Sequence, residues 1–267
     1  MKLHKEFARL FGFELLHIRK DQPVLGSHLR QLFGKLGIDC VLDVGANQGQ
    51  YGAMLRRIGY RGRIVSFEPV KESYAVLKAR AARDSNWRTF NYALGAKAAT
   101  REIHVTRSSV FASFLDPSEF SQAKFPESMP VTRNEKVKIR TLDEAFNEAA
   151  DGMGSPRVFL KMDTQGYDLE VFAGAKRSLE RVRGLQTEIS IQAIYKGMPD
   201  YIKSLSVYTQ AGFVMSGLYP VSRDRDSLAL IELDCVMRRA PEAAKKPKAA
   251  ATARKVGQKA AKKTRLS

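Results

Sequence analysis

The chain has 267 residues, 44% of them hydrophobic, which is enough for one large α/β core and too apolar for a disordered class. Its formal charge is +17; residues 241–267 hold nine Lys/Arg against one Glu, or +8, leaving +9 for the first 240 residues. Cys40 and Cys235 lie in apolar runs without CxxC spacing, which excludes a disulfide framework and suits a reducing, cytoplasmic compartment; no apolar run nears the ~20 residues that span a bilayer.

Residues 1–38 read as an amphipathic helical segment. Phe7, Leu10, Phe11, Leu15 and Ile18, then Leu29, Leu32, Phe33 and Leu36 after Pro23, recur at helical spacing. The spacing predicts helices packed on the edge of the domain; Lys2, Lys5, Arg9, Arg19 and Lys20 leave a membrane-surface contact as the other reading. Arg9, Glu14 and His17 interrupt the stretch and no small-residue cleavage site follows, so it does not read as a secretory signal.

The next stretch, Val41 to Gly52 (VLDVGANQGQYG), organises the rest. An apolar strand over residues 40–44 runs into a glycine turn, and Tyr51, Met54, Leu55 and Ile58 continue it as a helix. Gly45 and Gly49 free the backbone for close approach of a ligand, and the helix directs its unpaired N–H groups at the turn. Residues 63–68 form a second strand ending in Glu68, 23 residues after Gly45, near the ~20-residue offset at which an acid meets ribose hydroxyls. The turn is GxxxG rather than the GxGxxG that seats a pyrophosphate, which favours a nucleoside without phosphates, S-adenosyl-L-methionine fitting best. A turn whose glycines serve packing alone is the competing reading.

Residues 71–82 predict a helix, and 87–94 a third strand ending at Gly95. In open parallel sheets the ligand lies outside the carboxyl ends of the strands, here Asp43, Glu68 and the Asn91–Ala93 region. Asn91 is read either as an adenine neighbour or as a turn former. Residues 96–157 break the alternation with two half-solvated strands, 102–106 and 136–141, around a Ser/Pro-rich stretch, read as an antiparallel excursion over the site. Thr141 and Glu144 have the spacing of a capping box.

Arg157 to Asp163 (RVFLKMD) predicts the next core strand, followed by a helix over 169–179, a strand over 184–191, a helix over 201–209 and strands over 212–215 and 227–237. About seven strands in one sheet result. Lys161, Asp163 and Asp168 flank the fourth core strand opposite Glu68, with Glu188 one strand over. An acid there orients an acceptor hydroxyl, takes its proton or holds a divalent metal; the plain alternative is a Lys161–Asp163 ion pair and a helix-starting Asp168. His104 reads as a strand residue, His4, His17 and His28 carry no role, and no triad, zinc site or other metal centre is expected. From Ala240 the composition collapses to Ala, Lys, Arg, Pro and Thr, a disordered basic tail for which either weak nucleic-acid or anionic-lipid contact or simple solvation is open.

Taken together, VLDVGANQGQYG (41–52), IVSFEPV (64–70), NYALGA (91–96), RTLDEAF (140–146), FLKMDTQGYDLEVFAGA (159–175), LQTEISIQAIYKGMPDY (185–201) and ELDCVMRR (232–239) resemble the FkbM-type methyltransferases over residues 35–239. The resemblance implies a Rossmann-like, seven-stranded, mostly parallel sheet with helices on both faces, in a domain over 39–239, and S-adenosylmethionine-dependent methylation of a hydroxyl on a sugar, glycolipid or other small molecule. It assigns donor contacts to Asp43, Gly45, Asn47, Gly49 and Glu68; Asn91 and Ala93 border the adenine, and Asp163, Lys161 and Glu188 are the catalytic candidates. Where the family often carries an acid two residues past Asp163, this chain has Gln165. A nucleic-acid methyltransferase, a non-catalytic nucleoside-binding module and an NAD-dependent oxidoreductase are the rivals, the last disfavoured by the missing GxGxxG.

Overall fold

A computed structural model describes residues 24–241; the amphipathic stretch over 1–23 and the basic tail past 241 lie outside the described residues. Strands β1 (Cys40–Val44), β2 (Arg63–Phe67), β3 (Trp87–Phe90), β7 (Val158–Met162), β8 (Val182–Ser190), β10 (Leu230–Arg239) and β9 (Phe213–Arg223) form a seven-stranded sheet in the spatial order β3-β2-β1-β7-β8-β10-β9. All neighbours are parallel except β10, which runs antiparallel to both β8 and β9. β1 and β7 are buried at every position, as their near-continuous apolar sequences require of central parallel strands.

Helices cover both faces. On one lie α1 (Leu25–Leu36), α2 (Gln50–Arg57) and α3 (Lys71–Ala81), packing Leu29, Phe33, Leu55 and Leu77 against Val41, Ile64 and Phe159. α1 turns its apolar residues inward at i, i+3 and i+4 and ends at Gly37, whose φ of 61° lets Ile38 N–H reach the Phe33 carbonyl. On the other face lie α5 (Leu142–Ala149), α6 (Asp168–Ala173) and α7 (Tyr201–Gln210), burying Leu142, Phe172 and Tyr208 against Leu42, Leu160 and Leu185. The capping box at α5 is present: Glu144 N–H donates to Thr141 Oγ1 at 3.1 Å, and Thr141 N–H to Glu144 Oε2 at 3.0 Å.

The expected third strand is broken. After Phe90 the chain leaves the main sheet, because the Asn91 side chain donates to the Glu68 and Pro69 carbonyls at 2.9 and 3.0 Å and turns the backbone. β4 (Ala93–Leu94) then joins a second sheet, ordered β4-β6-β5, with β5 (Ala99–Thr106) and β6 (Val131–Arg140) antiparallel. The short helix α4 (Glu119–Lys124) lies between them. The antiparallel excursion thus ends at Arg140, and α5 already belongs to the return crossover. The helix expected over 169–179 stops at Ala173, because Gly174 packs on the Gly95 carbonyl, where a Cβ would sit 2.1 Å from the oxygen. β9 is longer than its expected four residues. As an edge strand it tolerates Pro220, whose missing N–H would break an interior one.

The chain runs outward from β1 to β3 and then returns to place β7 on the other side of β1. That reversal opens a crevice at the carboxyl ends of β1 and β7.

Candidate active site

Gly45 ends β1 with φ 75°, and a Cβ there would lie 1.9 Å from the Asp163 carbonyl oxygen, so the two strand ends meet only because this residue is glycine. The N–H groups of Gly45 and Ala46 both donate to the Phe67 carbonyl at 3.0 Å, folding the turn back over β2. Asn47 (φ 46°) and Gly49 (φ 80°) complete the left-handed path into α2. Glu68 fixes the turn from below: its Oε2 accepts from Asn47 N–H at 2.8 Å and its Oε1 from Val70 N–H at 2.9 Å. Burial pushes the Glu68 carboxyl up to about 7, against the pull of those two N–H groups.

Beside the turn, a cavity of about 650 Å³ opens at the carboxyl ends of β1, β2, β7 and β8. Gly45, Asn47, Glu68 and Ala93 line one side; Lys161, Asp163, Gln165 and Glu188 line the other, and Ile103, Phe111 and Phe114 from the excursion border it. Through those three side chains the excursion reaches the cavity. Three residues read as donor contacts do not reach the cavity. The alternation of β1 turns Asp43 into the sheet face beneath α2, where it is fully buried, accepting from Ser66 Oγ at 3.1 Å and facing the Lys161 ammonium at 3.4 Å. Gly49 backs onto Leu77 and Trp87, and Asn91 is spent on the Glu68 and Pro69 carbonyls just past β2.

Lys161 is buried between two carboxylates, with Asp163 Oδ2 at 3.2 Å and the Tyr51 ring centroid at 5.2 Å. Burial pulls its pKa down, but Asp163 and Asp43 outweigh that pull and hold the ammonium charged. Sequence reasoning missed four further polar residues. Glu232 and Asp234 alternate on β10, which places them on the same face as Glu188, with Asp234 directly opposite it in the register. Gln186 bridges Asp234 (2.9 Å) to the Tyr51 hydroxyl (2.9 Å), and Tyr195 donates to Gln165. The available signal was two acids spaced i, i+2 in the otherwise apolar run LIELDCVM. Burial pushes Glu188 well above the usual carboxylate range and Glu232 to about 7, and the neighbouring Asp163 charge adds to both shifts. Among the described residues no group of three or more His, Cys, Asp or Glu has the geometry to hold a metal ion.

A glycine turn, an acid at the end of the adjacent strand and a crevice where the strand order reverses define a nucleoside-binding α/β domain of Rossmann-like architecture. The description "Methyltransferase FkbM domain" matches residues 43–215. The curated protein 2-O-methyltransferase NoeI of Sinorhizobium fredii is 26% identical over 193 residues, covering 67% of this chain and 75% of that protein. Among solved structures, an FkbM methyltransferase from Methylobacillus flagellatus aligns at 16% identity with a TM-score of 0.45, over 74% of this chain but only 43% of its own. Aeropyrum pernix fibrillarin, solved with natively bound S-adenosyl-L-methionine, aligns at 13% identity and TM-score 0.42, over 74% of this chain and 66% of its own. The chain belongs to the FkbM methyltransferase domain family, and with that membership it is an S-adenosylmethionine-dependent methyltransferase.

The residues present suit the donor. Asn47 Oδ1 is buried without a hydrogen-bond partner among the described residues and belongs to a side chain that lines the cavity. A buried amide oxygen left unpaired is costly, and a ligand N–H or O–H would satisfy it.

Proposed function

We propose that the chain methylates a hydroxyl of a small, hydroxyl-rich acceptor without phosphates, such as a sugar or glycolipid. The carrying observation is the wall opposite the glycine turn, where Asp163, Glu188, Glu232 and Asp234 face the cavity with Lys161 as their cation. Carboxyl groups accept hydrogen bonds from hydroxyls in either protonation state, and those that are ionised repel phosphate, so the wall suits a sugar better than a nucleic-acid backbone. The name of the Sinorhizobium relative, a 2-O-methyltransferase, supports oxygen as the methylated atom.

In this reading Glu68 accepts from the donor's ribose hydroxyls through its remaining lone pairs, Gly45 and Asn47 hold the methionine side, and Ala93 borders the adenine. When bound, the donor supplies a methyl group already activated on a sulfonium. The chain's residues supply orientation and a proton acceptor. Asp163, held by Lys161, takes the hydroxyl proton, and positioning provides much of the rate.

Transfer of a labelled methyl group to a panel of sugars, glycolipids and RNA, by the full chain and by a chain ending at residue 241, tests the reading. Label entering a neutral sugar at equal rates with both chains is expected. Label entering RNA alone, and only when the basic tail is present, would replace it with the nucleic-acid alternative; retention on anionic vesicles would instead assign the tail a lipid partner.

The Glu68 assignment has its own pH signature. A carboxyl with a pKa of about 7 loses acceptor capacity as the pH falls through that value, so donor affinity is expected to be level above pH 7 and to weaken below it. Glu68→Gln sets an NH2 group against one of the Asn47 and Val70 N–H donors. Calorimetry should show about a tenfold or greater loss of affinity and no remaining pH dependence. A wild-type profile flat from pH 5.5 to 8 would remove the ribose role.

A further inference from the structure

Gln165 holds a left-handed backbone, φ 53°, which non-glycine residues adopt at a cost of ~1 kcal/mol or more and which persists only where surrounding contacts impose it. Those contacts converge on its amide. Nε2 donates one hydrogen to Asp163 Oδ1 and the other to Glu188 Oε2, both at 3.0 Å. Oε1 accepts from the Tyr195 hydroxyl at 2.8 Å, and the main-chain oxygen accepts from Ser113 Oγ at 2.7 Å. Tyr195 also lies 3.0 Å from the Phe111 carbonyl, so its single proton serves one of the two oxygens at a time. The amide has one orientation: two carboxylates require the NH2 group, and a hydroxyl proton faces the oxygen.

Lys161, Ser222 and Gln186, the other donors to acids on this wall, do not join Asp163 to Glu188. Lys161 reaches Asp163 and Asp43, Ser222 reaches Glu232 at 2.8 Å, and Gln186 reaches Asp234. Among the described residues Gln165 is the side chain that spans from β7 to β8 between the two carboxylates.

We propose that Gln165 is a positioning residue for methyl transfer: its amide clamps Asp163 and Glu188 side by side as hydrogen-bond acceptors turned toward the methyl acceptor. The proposal rests on the reading of Asp163 as the group that meets the acceptor hydroxyl.

The clamp works because an amide donates without carrying charge or a titratable proton. The groups around it are titratable on every side: Lys161 of β7 and Asp163 just past its end, Glu188 from β8, Glu232 and Asp234 from β10, with Asp43 of β1 and Asp168 of α6 behind them. Burial already favours the neutral form of Glu188 and Glu232. A carboxyl placed at 165 carries at most one proton, so it could donate to only one of the two carboxylates, and when ionised it would push protons onto its neighbours.

Two variants and three readouts test this. Donor affinity is read by calorimetry, turnover against pH with the sugar identified in the panel, and proton binding by NMR titration of ¹³C-labelled Asp and Glu carboxyl carbons in the ligand-free protein. Gln165→Leu is expected to keep donor affinity within about threefold while kcat falls about 100-fold, as loss of orientation does. Gln165→Glu, nearly identical in shape, is expected to shift the cluster's titration upward by about one pH unit or more, and the acidic limb of the kcat profile with it. A side chain turned away from the two carboxylates would move neither titration, and one that only fills space beside them would leave kcat of Gln165→Leu near the wild-type value. Folded Gln165→Glu protein that titrates as the wild type does, or folded Gln165→Leu protein at wild-type kcat, overturns the clamp; should Gln165→Leu lose its fold, the titration of Gln165→Glu decides. The ligand-free titration needs no acceptor. Failure to find a methylated hydroxyl would therefore sink the functional reading while leaving the clamp to be judged by that titration.

Discussion

Asp163→Asn is expected to cut turnover by roughly 10²- to 10⁴-fold, the range that removal of a proton acceptor produces, with the fold kept and donor binding weakened no more than about fivefold. The separation follows from what each oxygen of Asp163 touches. Oδ2 lies 3.2 Å from Lys161, Oδ1 takes a hydrogen from Gln165, and the side chain remains 36% exposed at the cavity wall. Asparagine keeps the shape and one acceptor oxygen but has no basic oxygen for a hydroxyl proton. Lys161 still has Asp43 at 3.4 Å, so no buried charge is stranded. The donor's ribose side is held across the cavity at Glu68, and loss of one negative charge near the sulfonium is a modest term. Steady-state turnover, calorimetry with the donor and chemical denaturation measure the three quantities separately. Turnover above half the wild-type value would make Asp163 a mere ion-pair partner and would place the whole rate in positioning.

The main sheet was legible in the sequence because central parallel strands are buried on both faces and leave unmistakable apolar runs: CVLDV, RIVSF and VFLKM need no partner to be recognised. What was not legible depended on contacts far along the chain. Asn91 reads equally as a strand residue, a turn former or an adenine neighbour until the carbonyls of Glu68 and Pro69, 23 and 22 residues earlier, are seen to take its amide. Gly174 looks like an ordinary helix residue until the Gly95 carbonyl is found against it. Neither signal has a period or a local motif.

The candidate site divides along the same line. Lys161 and Asp163 sit at a strand end and were read from that position alone, and Glu188 is brought to them by the parallel pairing of β7 with β8. Glu232 and Asp234 enter only through the antiparallel register of β10, which sets Asp234 opposite Glu188. Gln165 and Tyr195 are 30 residues apart and meet through a loop whose path no pattern announces. Asp43 failed in the other direction: an acid beside a glycine turn reads as a ligand contact, whereas strand alternation sends it to the opposite side of the backbone, into a buried network. There the Trp87 indole N–H donates to Ser66 Oγ at 3.0 Å, Ser66 donates to Asp43, and Lys161 closes the chain.

That network makes Lys161→Met the substitution with the largest expected effect on stability. Asp43 is 0% exposed, and burial already raises its pKa, with Lys161 first among the groups that oppose the rise. Methionine matches the lysine stem and leaves the carboxylate without a cation, a loss that costs ~3–5 kcal/mol when one partner of a buried pair is removed. A second route gives the same size. Asp43 can escape by taking a proton, and holding a carboxyl neutral at pH 7, about three pH units above its ordinary pKa, costs ~4 kcal/mol. The sign of the pH dependence follows. In the variant the folded-state pKa of Asp43 lies above its unfolded value, so the penalty is present above pH ~4 and grows as the pH rises toward the folded pKa. The difference between wild type and Lys161→Met, measured by urea unfolding, should therefore shrink as the pH falls from 7 to 5. Adding Asp43→Asn to Lys161→Met removes the stranded charge and should restore most of the lost stability, since an amide can still accept from Ser66. A single variant within about 1 kcal/mol of wild type at pH 7, or a double variant no more stable than the single, would mean that the buried lysine serves the cavity alone and that Asp43 finds its compensation elsewhere.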